Sequence, residues 1–225
     1  MLYALIVAGG SGSRMKSSLP KQFLPLDTHS ILFHTMNRFY ESFPDIRFVL
    51  VLPHEFTSLA HPQLQELQRF PCVNIIEGGN TRFESVKNGL DQITEDGIVF
   101  IHDAVRPFVS DAVLQNCLLM ATEKGNAIPV IPVKDSLRIA KDSKNYAVDR
   151  TDYVAVQTPQ TFQIPLIKQA YQCEYSTFFT DDASVLEASK IPIFHCHGDE
   201  KNFKITTPLD LELAIYLKKT STYIN

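Results

Sequence analysis

An apolar run from Leu2 to Val7 breaks directly into Ala8-Gly9-Gly10-Ser11-Gly12-Ser13-Arg14, and this stretch constrains the fold more than any other. A short continuous apolar run closed by glycines reads as a strand buried on both faces. Glycines after a strand let backbone N–H groups close on a ligand with no Cβ in the way. Arg14 lies in that loop and Lys21 follows just beyond it, after Pro20, so the expected ligand is an anion. No Gly-Lys-Ser/Thr follows, which excludes a Walker loop. Gly10-x-Gly12 is present, but Met15 stands where a dinucleotide fingerprint has its third glycine, and the second strand ends at Leu52-Pro53 without an acid placed for a ribose.

The apolar pattern continues in the same rhythm. Strands are expected at Arg47 to Leu52, Val73 to Glu77, Ile98 to Ile101 and Ala127 to Val133. Helices are expected from Ile31 to Ser42 behind a Ser30 cap, Glu55 to Arg69, Thr81 to Gln92, and Asp111 (as the cap) to Lys124. Strands alternating with helices give an α/β fold, a Rossmann-like and mostly parallel sheet with helices on both faces. Ligands on such sheets bind at the carboxyl ends of the strands. The glycine loop, Gly78-Gly79 and Asp103 all fall at such ends and should converge.

From Lys134 to about Gln157 the rhythm changes to short alternating segments, Ser136 to Ala140 and Tyr153 to Val156, around a polar stretch. This reads as a protruding β-arm, and its exposed edges call for a partner, expected to be a second copy of the chain. The chain then resumes with helices near Ile164 to Tyr175 and Asp181 to Ser189, strands at Ile193 to Cys196 and Phe203 to Ile205, and a last helix from Pro208 to Lys219 capped by Thr207. The 225 residues suit one sizeable α/β domain or one domain with an appendage, expected here as a single domain with this arm.

Net charge near −4 argues against nucleic acid as a partner and makes the basic loop a local feature. Cys72, Cys117, Cys173 and Cys196 form no CxxC pair, and reduced thiols in a cytosolic protein are expected. No basic leader precedes Leu2 and no apolar run approaches about 20 residues, so neither a signal peptide nor a membrane span is expected.

Asp103, between His102 and Ala104-Val105-Arg106-Pro107, is a reasonable magnesium ligand, although an aspartate there also suits a turn. Arg106 suits phosphate capture. Lys204 lies in an apolar Phe203-Lys204-Ile205 setting where a solvated lysine is unexpected. Lys134 and Arg150 read as a solvated surface on their own. His195 and His197 share one face of a strand and read as structural, with no third ligand nearby. Ser11 and Ser13 have no base in their motif and do not read as nucleophiles.

In order along the chain, Ala8 to Met15, Pro20-Lys21-Gln22-Phe23, Gly78-Gly79-x-x-Arg82-x-x-Ser85-Val86, His102 to Pro107, Val148-Asp149-Arg150, Gln157-Thr158-Pro159-Gln160, Thr180 to Ser184, and Lys204-Ile205-Thr206-Thr207-Pro208-x-Asp210-Leu211 resemble the 2-C-methyl-D-erythritol 4-phosphate cytidylyltransferases. The resemblance spans essentially the whole chain. It implies transfer of a cytidylyl group from CTP to a polyol phosphate in the non-mevalonate route to isoprenoids, with pyrophosphate released. It also implies Mg²⁺ and a homodimer whose arms exchange. The fused cyclase domain of some family members is not expected here.

By matching motif, the resemblance assigns catalysis to Arg14, Lys21 and Lys204. CTP would be bound by Ala8, Gly9, Gly10, Gly12, Arg14, Lys21, Gly78, Gly79, Asn80, Arg82, Ser85 and Ala104. The acceptor would meet Asp103, Arg106, Ser136 and Lys204, joined by Arg150 and Thr158 of an arm from the other subunit, and Asp103 would bind the metal. Asn80 and Ser136 replace an aspartate and a threonine of other members. Rival readings are a ribitol 5-phosphate cytidylyltransferase, a dinucleotide-dependent oxidoreductase and a non-catalytic nucleotide-binding module.

Overall fold

The computed structural model describes residues 1–8, 19–58, 61–141 and 144–221. The glycine loop from Gly9 to Gly12 and Arg14 therefore lie outside the described residues. The strands are β1 (Leu2–Val7), β2 (Arg47–Leu52), β3 (Val73–Glu77), β4 (Ile98–Asp103), β5 (Asn126–Pro132), β6 (Leu137–Lys141), β7 (Lys144–Val148), β8 (Val154–Val156), β9 (Gln160–Gln163) and β10 (His195–His197). The helices are α1 (Ile31–Ser42), α2 (Arg82–Asp91), α3 (Asp111–Lys124), α4 (Ile164–Ala170), α5 (Asp182–Ala188) and α6 (Pro208–Ser221).

The main sheet runs β10-β5-β9-β4-β1-β2-β3, with β8 also paired to β5. The pairs β1–β2, β1–β4, β2–β3 and β5–β10 are parallel, as the alternating pattern requires. Successive side chains on a strand point to opposite faces. Ala4 and Ile6 of β1 thus join Phe48 and Leu50 of β2 and Phe100 of β4 in one core, with α1 and α3. Tyr3 and Leu5 join Val49, Val51, Val99 and Ile101 in the other, with α2, α4 and α5. Helices cover both faces, which explains why these strands read as unbroken apolar runs.

Several expectations need correction. Glu55 to Arg69 is not one helix but two 3₁₀ segments, His54–Phe56 and Pro62–Arg69. Pro62 can open a helical segment but has no N–H to continue one. Ser110 occupies the cap position of α3, and Asp111 is inside its first turn. The helix from Ile164 ends at Ala170, short of Tyr175. The late strand is shifted to His195–His197, where it pairs with Ile128 to Val130. Phe203 to Ile205 is not a strand; Ile205 N–H donates to the Val105 carbonyl at 3.0 Å in a loop contact. His195 and His197 do share the exposed face of their strand, with Cys196 buried between them. All four cysteines are free thiols.

The largest departure is β9, which periodicity did not announce. It runs antiparallel between β4 and β5 and splits a mostly parallel sheet. The arm is correspondingly shorter than 134–157. Only β6 and β7 form it, paired to each other in a separate two-stranded sheet, while β8 returns to β5. Ile139 faces Tyr146 across that hairpin, and the two are 37% and 55% exposed.

Ser30 caps α1 as expected, accepting from Phe33 N–H at 3.1 Å, and its own hydroxyl donates to Glu66. Ser30→Ala should lower stability by about 1 kcal/mol, read as a lower urea midpoint at unchanged slope. An unchanged midpoint would show that the cap contributes nothing here.

Candidate active site

Parallel pairing brings the strand ends level. Val7 lies beside Val51 on one side and Asp103 on the other. Just past them, Ala8 N–H donates to Val51 O at 2.9 Å, Gly78 N–H to Leu52 O at 2.8 Å, and Ala104 N–H to Val7 O at 3.1 Å. Ala8, Gly78 and Ala104 therefore converge, as expected of ligand-binding strand ends. A cavity of about 500 Å³ opens there.

One wall of the cavity is the start of α2. Thr81 and Glu84 form a reciprocal capping box that fixes the helix entry. Gly79 is pressed against that turn: a Cβ on it would lie 2.3 Å from Glu84 Cβ, so only glycine fits. Ser85 Oγ accepts from Gly79 N–H at 3.1 Å, so this serine shapes the loop it was expected to serve. Asn80, Arg82 and Ser85 all line the cavity.

The opposite wall carries Lys21, Ala104 and Lys204. Lys21 opens a short 3₁₀ turn, and Gln22 beside it, 1% exposed, donates to Ala8 O at 2.8 Å. Gln22 thereby ties the lysine's segment to the end of β1. Lys21 Nζ donates to Ile205 O at 3.3 Å.

Asp103 forms the floor. Its Oδ2 lies 2.9 Å from Lys204 Nζ and 3.4 Å from Arg106 Nε, and its Oδ1 lies 3.8 Å from Arg82 Nε. Burial alone would raise its pKa; Arg82, Lys204 and Arg106 outweigh burial and hold the carboxyl well below the usual range. Arg106 also donates to Asn202 O at 2.7 Å, and burial lowers its own pKa. His102 is fully buried, which pushes its pKa down to about 4 and leaves it neutral. Its Nε2 bonds the Arg106 carbonyl at 3.1 Å and its Nδ1 bonds Thr158 Oγ1 at 3.0 Å.

Thr158 corrects an expectation. It was assigned to an arm reaching from another subunit, yet it is buried in the same chain, and its Oγ1 accepts from Asp103 N–H at 3.1 Å. The register of β9 on β4, continued past Gln160 and Ile101, sets Thr158 opposite Asp103. A second cavity of about 290 Å³ opens beside it, lined by Arg106, Gln157, Thr158 and Asp181, and sharing Arg82, Asp103 and Lys204 with the first. Ser136 and Arg150 line neither cavity; both are exposed, and Arg150 donates to Lys134 O within its own segment.

Among the described residues, no cluster of three or more acidic, histidine or cysteine side chains could hold a metal. Mg²⁺ is commonly held by one or two carboxylates together with substrate phosphates. Among the described residues, Asp103 is the one carboxylate lining the larger cavity, and its Oδ1 is its less engaged oxygen. This donor set fits a magnesium ion that arrives coordinated to a triphosphate.

Sequence reasoning missed Gln22, His102 and Asp182 as site-building residues. Asp182 makes a bidentate pair with Arg82, at 2.8 and 2.7 Å. Its position near a helix start reads as an ordinary first-turn acid, and only the tertiary fold reveals its partner.

A cation-lined cavity at the strand ends of a mostly parallel sheet defines a phosphate-handling α/β enzyme domain. The family model for 2-C-methyl-D-erythritol 4-phosphate cytidylyltransferase (IspD) matches residues 2–219. A protein of that description from Bacteroides fragilis is 47% identical over 94% of this chain and 96% of its own length. One from Porphyromonas gingivalis is 46% identical over 94% and 95%. The crystal structure of the Thermus thermophilus protein superposes with a TM-score of 0.74 at 28% identity, covering 96% of this chain and 98% of that one. That of the Francisella tularensis protein gives 0.80 at 26%, covering 96% and 98%. The chain belongs to the IspD family of cytidylyltransferases.

Thr158→Val should strand the buried Asp103 N–H without an acceptor and cost about 1–3 kcal/mol in chemical denaturation. Thr158→Ser should restore most of the loss. A loss in Thr158→Ser with none in Thr158→Val would show that the methyl packing, not the hydroxyl, matters.

Proposed function

We propose that the larger cavity binds CTP as its magnesium complex and that the smaller one admits the phosphate of 2-C-methyl-D-erythritol 4-phosphate. An acceptor phosphate oxygen attacks the α-phosphorus of CTP. The bond from that phosphorus to the bridging oxygen breaks, and pyrophosphate leaves with the bridging electrons. The products are 4-diphosphocytidyl-2-C-methyl-D-erythritol and pyrophosphate. The observation that carries this reading is the continuity of the two cavities through Arg82, Asp103 and Lys204, in a chain of this family.

The acceptor's second pKa is about 6, so it is largely a dianion at neutral pH and needs no general base. The barrier is electrostatic, one anion approaching another. In this reading Lys21, Arg14 and Lys204 supply the countercharge that grows in importance as pyrophosphate departs. Gly78, Gly79, Asn80, Ser85, Ala8 and Ala104 surround the nucleoside, and the glycines Gly9, Gly10 and Gly12 lend backbone N–H groups to the phosphates. Magnesium, bound with the nucleotide, would neutralise phosphate charge, and Asp103 would be the residue that holds it. Arg106 and Lys204 hold the acceptor.

Ser136 and Arg150 fit this scheme only from a second copy. The exposed Ile139–Tyr146 pair gives the hairpin an apolar face suited to such a homodimer. A cytoplasmic setting accords with the free thiols, and no helix of the described residues is long and apolar enough to cross a membrane.

Lys21→Ala and Lys204→Ala should each lower turnover by roughly 3–4 kcal/mol of barrier, about 100- to 1000-fold, with folding intact. Pyrophosphate release should be compared across CTP, UTP and ATP, with methylerythritol phosphate and ribitol 5-phosphate as acceptors. Near wild-type rates in both variants would refute the mechanism, and preference for ribitol 5-phosphate would refute the acceptor. Replacing Ile139 and Tyr146 together by lysine should yield a monomer in sedimentation velocity, with turnover lost. An active monomer would remove the arm from the site.

A further inference from the structure

Arg82 stands where the two cavities meet and, with Asp103 and Lys204, lines both. Its guanidinium is held from behind. Nη1 donates to Asp182 Oδ1 at 2.8 Å and Nη2 to Oδ2 at 2.7 Å. Asp182 is wholly buried, and Tyr171, 1% exposed, donates its hydroxyl to the same Oδ1 at 2.6 Å. The Tyr171 ring stacks on Phe83, the neighbour of Arg82, with centroids 4.8 Å apart.

The carboxylate is itself fixed to the sheet. Gln160 of β9 donates to Asp181 Oδ2 at 2.7 Å and accepts from Ala183 N–H at 2.8 Å, gripping the chain on both sides of Asp182. A two-pronged guanidinium–carboxylate pair has one good orientation, unlike a lysine ammonium. Arginine has five N–H donors. Two face Asp182 and Nε faces Asp103 at 3.8 Å, so the outer edge of the fork is left for the junction of the cavities.

We infer that Asp182, with Tyr171, is a positioning device for the transfer reaction: it aims Arg82 at the phosphate being transferred, so that Arg82 acts in catalysis and not only in nucleotide binding. The inference rests on the proposed CTP and acceptor sites. A purely structural pair, docking α5 onto α2, would cost stability without a specific effect on turnover.

The test is a cycle of Asp182→Asn, Arg82→Lys and the double variant in the full chain, with CTP and methylerythritol phosphate. Asp182→Asn should lower kcat on the order of 10- to 100-fold, with the KM for CTP changed by less than about threefold. In the Arg82→Lys background the same change should cost nothing further. Tyr171→Phe keeps the ring stack and serves if Asp182→Asn folds poorly; it should lower kcat by about threefold, again only when Arg82 is present. An NMR measurement of the Arg82 guanidinium, independent of substrate, should show slowed Nη rotation in the wild type and its loss in Asp182→Asn. Additive effects on kcat, a change confined to thermal stability, or a freely rotating wild-type guanidinium would each overturn the inference. If the guanidinium is held but the wild type releases no pyrophosphate with any acceptor, the reading of the site fails, and the catalytic role of the clamp fails with it.

Discussion

The carboxylate of Asp103, caught among Arg82, Arg106 and Lys204, is the interaction on which the rest of the site depends. Three cations converging on a half-buried cavity would repel one another and resist desolvation. One ionised acid between them makes the arrangement tolerable, and the cations in turn keep it ionised. Each cation comes from a different part of the chain: Arg82 from the start of α2, Arg106 from the turn after β4, Lys204 from the loop before α6. The carboxylate therefore acts as the point at which three separately folded segments are brought into register.

The supports behind this centre are mostly neutral. His102 is buried without charge and bridges the Arg106 carbonyl to Thr158, while Thr158 satisfies the Asp103 N–H. Asn202 anchors Thr158 from the far side, donating to its carbonyl at 2.8 Å. Neutral hydrogen-bonding groups fix geometry without adding charge to a site already dense with it. β9 matters for this reason. By running antiparallel beside β4 it delivers Thr158 to the strand end, which no parallel crossover strand at that position would do.

The parallel half of the sheet was legible because its strands are buried on both faces and its helices alternate with them. Ser30 and Pro208 signalled helix starts through local chemistry that tertiary context did not override. β9 was not legible, because Gln160, Thr161, Phe162 and Gln163 carry one apolar residue among four and are buried by their partners, not by their own pattern. The arm was read too long for the complementary reason: Val154 to Val156 alternates like an exposed hairpin strand, yet pairs with β5. Within the site, Lys21, Asp103, Arg106 and Lys204 were found because charges at strand ends or in apolar surroundings stand out. Gln22 and Asp182 were not, since a glutamine and a first-turn aspartate have innocuous local readings.

Under the proposed reading, the same charge balance governs how the cavities receive phosphates. Asp103 Oδ2 lies 3.4 Å from Arg106 Nε and 2.9 Å from Lys204 Nζ. Phosphates entering both cavities offer these cations stronger, more numerous oxygen partners than one carboxylate can. In that reading the Oδ2 of Asp103 is released just as excess negative charge arrives. Arg82 is held differently, with two of its donors committed to the buried carboxylate of Asp182. In the proposed reading the site combines adjustable cations, which pass from carboxylate to phosphate, with one arginine held in place by Asp182.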